Sequence, residues 1–89
     1  MTESQKEALA WLFKHNGEGT FTGRGAEFLA AGETAPFTHR TWRHLRDDGY
    51  IEKIGKRQML TGAGSQLAEK LILDGFGNSM VMGFEDDGY

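Results

Sequence analysis

Nine side chains between positions 38 and 57 have types and spacing that could do chemistry: Thr38, His39, Arg40, Arg43, His44, Arg46, Lys53, Lys56 and Arg57. The cations suit anionic phosphates, and arginine can also grip a guanine edge through two parallel hydrogen bonds. Threonine and histidine read base edges more permissively. The chemistry this set suggests is non-covalent recognition of double-stranded DNA. Arg40, Arg43, Arg46, Lys53, Lys56 and Arg57 are six of the chain's ten Lys/Arg. Only Asp47, Asp48 and Glu52, of thirteen Asp/Glu, share the stretch 38–61. The formal net charge is −3, so the positive charge stands between an acidic N-terminal third and an acidic tail.

A helix, a glycine stop and a short hairpin would position these residues. The third of four expected helices runs from about Phe37 or Thr38 to Asp47. Trp42 and Leu45 lie one turn apart on its inner side with Phe37 or Thr41, which leaves His39, Arg40, Arg43 and His44 outward. Gly49 stops this helix. Tyr50 to Ile54 and Arg57 to Leu60 then read as hairpin strands around Gly55-Lys56. Thr61 caps a last helix ending near Asp74-Gly75, with Leu67, Leu71 and Ile72 or Ala68 as its apolar stripe.

Upstream, the first helix is expected from Glu3 to His15. Ser4 and Glu7 form its capping box, with Thr2 the alternative cap. Ala8, Leu9, Leu12 and Phe13 make its stripe, Trp11 lies on the edge, and Asn16-Gly17 is the stop. One short strand is expected around Thr20-Phe21-Thr22. A glycine-rich second helix is expected over 23–31, with Ala26, Leu29 and Ala30 inward and Gly32 at its end. Glu33-Thr-Ala-Pro-Phe is read as a turn.

Two stretches carry a family resemblance. Arg43-His-Leu-Arg-Asp-Asp-Gly-Tyr-Ile-Glu52 resembles the end of a recognition helix running into the wing of a winged helix-turn-helix. Met59-Leu-Thr-Gly-Ala-Gly-Ser-Gln-Leu-Ala-Glu69 is similar to the leucine-threonine-x-x-glycine exit from the wing in MarR- and PadR-like regulators. The resemblance covers about residues 3–74 and implies a mainly α fold with a small β-hairpin wing. It implies a domain over 1–75 and a tail over 76–89. It further implies a transcriptional regulator whose recognition helix, about 37–48, enters the major groove while the wing, about 50–60, lies on the backbone. The glycine-rich second helix and the very short wing tip depart from the family pattern.

Other chemistries find less support. The chain has no cysteine, which excludes disulfides and Cys-based zinc sites. His39 and His44 are five apart and do not share a helix face, so no metal or other cofactor is expected. The run Gly17 to Gly25 has the glycines of a phosphate loop without its Gly-Lys-Ser/Thr ending. No nucleophile–base pair is recognisable, so an enzyme is not expected. A solvated helix face is the plainer reading of the basic stretch, with Asp47, Asp48 and Glu52 pairing Arg43, Lys53 or Lys56.

The tail supplies the second functional reading. Met80 to Phe84 is apolar, and Phe84, Glu85, Asp86, Asp87 and Tyr89 could dock on a protein partner. A winged-helix interaction module, such as a phage-encoded inhibitor of a host nucleic-acid-binding complex, would use those residues. The first reading instead expects duplex DNA as partner, with a homodimer on a two-fold site. No apolar run reaches membrane-spanning length, and Met1 to Glu7 lacks the features of a signal peptide, so the cytoplasm is the expected location.

Overall fold

The computed structural model describes residues 1–22 and 27–76. Along the chain come α1 (Glu3–Lys14), β1 (Glu18–Phe21), β2 (Phe28–Ala30), β3 (Glu33–Thr34), α2 (His39–Asp47), β4 (Ile51–Ile54), β5 (Arg57–Leu60) and α3 (Gly62–Leu73). The class is therefore mixed α and β, not mainly helical. The strands form one antiparallel sheet in the order β3-β2-β1-β5-β4. Among the described residues no helix is long and apolar enough to cross a membrane.

Each helix opens on a threonine. Thr2, Thr38 and Thr61 hold extended backbone, and their hydroxyl oxygens accept from the N–H groups of Gln5 (3.1 Å), Thr41 (3.3 Å) and Gly64 (3.0 Å). The cap of α1 is thus Thr2 and not the expected Ser4, which is buried. Gln5 completes the capping box by accepting from the Thr2 N–H at 3.2 Å. The helix ends are equally local. Tyr50 N–H donates to the Leu45 carbonyl and Gly49 N–H to that of Arg46, both at 3.0 Å, with Gly49 at φ +86°. This pattern closes α2 by satisfying carbonyls that would otherwise lack partners. Phe76 and Gly75 close α3 in the same way, onto Leu71 and Ile72.

The stretch expected as a second helix is a strand where it is described: Phe28–Ala30 form β2, paired with β1 and β3. Ala31 and Gly32, at φ 52° and 80°, make the two-residue turn into β3. Two successive positive φ values are the type I′ pattern favoured in hairpins. Glu33 and Thr34, read above as turn, are β3 itself. Alanine and leucine in 26–31 suggested a helix by propensity, and tertiary packing overrides that weak preference.

The pairing register assigns faces. Gly19, Phe21, Phe28, Ala30, Ile51, Lys53, Gln58 and Leu60 share one side; Glu18, Thr20, Leu29, Thr34, Glu52, Ile54, Arg57 and Met59 share the other. Phe28, Ala30 and Ile51 are buried with Ala8, Leu9, Leu12, Trp42, Leu45, Ala68 and Leu71 in one core, so the helices cover the first side. Gly19 has no room for a side chain there, because a Cβ would meet the Phe28 ring and the Leu29 carbonyl.

The hairpin formed by β4 and β5 is fastened at its base. The Thr61 hydroxyl donates to the Gly49 carbonyl at 2.8 Å, and Thr61 N–H donates to the Tyr50 carbonyl at 3.0 Å. A Cβ on Gly64 would run into that same Tyr50 carbonyl. The leucine-threonine-x-x-glycine spacing at Leu60 to Gly64 thus has a steric reason: threonine ties three elements together, and glycine lets α3 approach the backbone. Gly62, two residues earlier, faces open space.

Gly64→Ala should therefore destabilise the domain by about 1–3 kcal/mol in urea denaturation, as overpacking does. Gly62→Ala should be neutral or stabilise by up to ~1 kcal/mol, because only the unfolded chain feels it. Equal effects at the two sites would contradict the close approach. Ala31→Asn should raise the melting temperature by a few degrees, since asparagine tolerates the left-handed backbone and alanine pays roughly 1 kcal/mol there.

Candidate nucleic-acid interface

Helix α2 has nine residues, and Thr41, Trp42 and Leu45 are its buried ones. Advancing 100° per residue, these three occupy one side and leave Arg40, Arg43 and Asp47 at the middle of the other. His39, Arg40, Arg43 and Arg46 are exposed and His44 is half-buried. Thr38 is exposed too, and its hydroxyl serves as the helix cap. It also lies 3.2 Å from the Thr41 hydroxyl.

Trp42 fixes where this face points. Its ring is 1% exposed and lies 4.4 Å, centroid to centroid, from Phe28 of β2. Phe37 meets it edge-on at 5.8 Å, and Trp11 of α1 is tilted at 6.4 Å. The indole N–H has no hydrogen-bond partner among the described residues. An unpaired buried donor costs about 1–3 kcal/mol, so apolar contact outweighs a polar deficit at this position.

On the β4–β5 hairpin, Lys53, Lys56 and Arg57 are exposed. They do not all face the same way. Arg57 lies on the outer side of the sheet, where it donates to Glu18 at 3.2 Å with both side chains largely in solvent. Such a pair contributes roughly 0–1 kcal/mol. Lys53 is on the helix side, at the end of β4 beyond the core. Among the described residues Arg43, Arg46, Lys53 and Lys56 make no ion pair, so Asp47, Asp48 and Glu52 do not neutralise them by direct contact.

Phe21 was not singled out from the sequence. Half-buried at the end of β1, it packs on Phe28 at 5.0 Å and on His39 at 4.7 Å. It thereby joins the first turn of α2 to the sheet. The sequence places a short strand around Thr20-Phe21-Thr22, but its partners come from later in the chain. A further contact sits at the far end of α1. His15 stacks on Trp11 at 3.8 Å, approaches the Trp11 carbonyl at 2.7 Å through Nδ1, and meets Glu33 at 3.0 Å through Nε2. That pins the β2–β3 hairpin to α1.

The proposed partner residues Phe84, Glu85, Asp86, Asp87 and Tyr89 lie outside the described residues. No protein-family model matches the chain, and no curated protein or solved structure matches it either.

Trp42→Ala should cost about 3–5 kcal/mol in denaturant unfolding, because it empties the contact that seats α2. Trp42→Phe keeps most of the ring and removes the orphan donor, so it should cost less than about 1.5 kcal/mol. If the phenylalanine variant is as damaged as the alanine one, the N–H has a partner and the packing account fails.

Proposed function

We propose that this chain is a winged-helix-type DNA-binding domain acting as a transcriptional regulator. Helix α2 enters the major groove, and Lys53 and Lys56 of the wing lie against the backbone. One observation carries the reading. Arg43, Arg46, Lys53 and Lys56 project from α2 and the adjoining hairpin and, among the described residues, are free of ion pairs, in a chain of net charge −3. Acidic proteins that keep unpaired cations on one face gain local attraction for a polyanion without binding it everywhere.

Support from the fold comes from the run α2, wing, α3. The stretch before α2 contains the β2–β3 hairpin where a helix-turn-helix would have its preceding helix, so α2 is braced by a sheet. The roles divide by position. Arg40 and Arg43, at the middle of the outward face, contact base edges, with His39 and His44 beside them. Arg46, Lys53 and Lys56 contact phosphates. Thr38 caps the helix and offers its N-terminus to a phosphate. Arg57 contributes through its pair with Glu18 and is peripheral. One module of this size has limited affinity, so two copies on a two-fold site is the stoichiometry we propose.

Fluorescence anisotropy with a mixed duplex pool across a salt series tests this. The wild-type protein should bind, and its affinity should fall steeply with salt. Joint replacement Arg40→Ala/Arg43→Ala should weaken binding by tenfold or more on the order of 1–3 kcal/mol per base contact, with the melting temperature unchanged. Lys53→Ala and Lys56→Ala should each flatten the salt slope by about one. Absence of binding at low salt would replace this reading with the protein-interaction module.

A further inference from the structure

We infer that the recess between the end of β1 and the wing tip is a subsite for an unpaired nucleotide. This rests on the DNA-binding reading and adds a class of ligand to it: duplex DNA carrying a single-stranded extension. The recess is lined by Thr20, Phe21, Lys53, Gly55, Lys56 and Gln58. Among the described residues no carboxylate lines it, and neither lysine makes an ion pair.

Its composition is that of a nucleotide site. Two ammonium groups suit a phosphodiester, and an aromatic ring suits the face of a base. Among the described residues no ring stacks on Phe21. Phe28 meets it at 62° and His39 at 54°, so neither lies parallel to it. Gln58 and Thr20 add hydrogen-bonding groups. The recess on the outer side of the sheet is occupied electrically by the Glu18–Arg57 pair. The groove between α1 and α3, lined by Phe13, Glu69, Ile72 and Leu73, has no cation among the described residues of its lining.

The base must be unpaired. Within a duplex both faces of a base are covered by its neighbours, so a protein ring can stack only on a base at a strand end or in a single strand. Position permits the two contacts at once. The Phe21–His39 contact of 4.7 Å joins the recess to the first turn of α2. A duplex gripped by α2 can therefore pass its frayed or extended strand into the recess.

The test compares a blunt duplex with the same duplex bearing a short single-stranded extension, by anisotropy at one salt concentration. The extended duplex should bind roughly tenfold more tightly, within the range that one stacked base supplies. A 2-aminopurine in the extension should be quenched on binding. Phe21→Leu should abolish the preference and the quenching, with a melting curve run alongside to establish folding. Lys53→Gln/Lys56→Gln, at exposed positions, should also reduce the preference and guards against a misfolded Phe21 variant. Equal affinity for the two duplexes overturns the subsite and leaves the DNA reading standing. Binding to neither overturns both.

Discussion

The seat of Trp42 is the contact on which the other features depend. A nine-residue helix is too short to persist in water by itself, and α2 has only three buried side chains to hold it. Thr41 and Leu45 are small beside an indole ring. It is the indole, against Phe28 and between Phe37 and Trp11, that sets the rotation of α2 about its axis. Rotation decides which residues face solvent. With Thr41, Trp42 and Leu45 inward, Arg40 and Arg43 are outward, because on a helix of 100° steps each stands about 150° from the middle of that buried side. The basic face is thus a consequence of the core.

The second constraint is the short span from Asp48 to Gly64. Gly49 ends α2, and Tyr50 turns into β4. The hairpin then returns to Thr61, whose hydroxyl bonds the Gly49 carbonyl at 2.8 Å. The start and finish of the hairpin are held together, and α3 sits directly on Tyr50 because Gly64 has no side chain. The tip with Lys53 and Lys56 therefore stands at a set distance from α2. Phe21 adds a brace on the other side, touching His39 on α2 while lining the recess with both lysines. These bonds and contacts hold the hairpin, the end of β1 and the first turn of α2 together.

How much of this could be read from the chain follows from the range of the interactions. Helices α1, α2 and α3 and the wing were legible because their signals are local: a threonine cap, an apolar stripe, a glycine stop. The stretch Phe28 to Thr34 was not. Its strands are three and two residues long, its composition favours a helix, and what makes it sheet is distant. Phe28 needs Trp42 above it and Gly19 beneath, and Glu33 reaches His15 on α1. Ala31 in a left-handed turn gave a misleading signal, since asparagine or glycine is usual there. Within the candidate interface, the exposure of Arg40 and Arg43 was legible from periodicity. The pairing of Arg57 with Glu18 and the place of Phe21 both needed the strand register.

The central claim is that α2 and the wing, acting together, form the surface that meets DNA. Backbone amide NMR shifts recorded while a duplex is added test it most directly, because they locate the contact instead of only detecting it. The account predicts perturbations concentrated at 38–46 and 53–57, with the α1–α3 groove around Phe13 and Leu73 unmoved. Perturbations confined to that groove, or none at all under low salt, would contradict it.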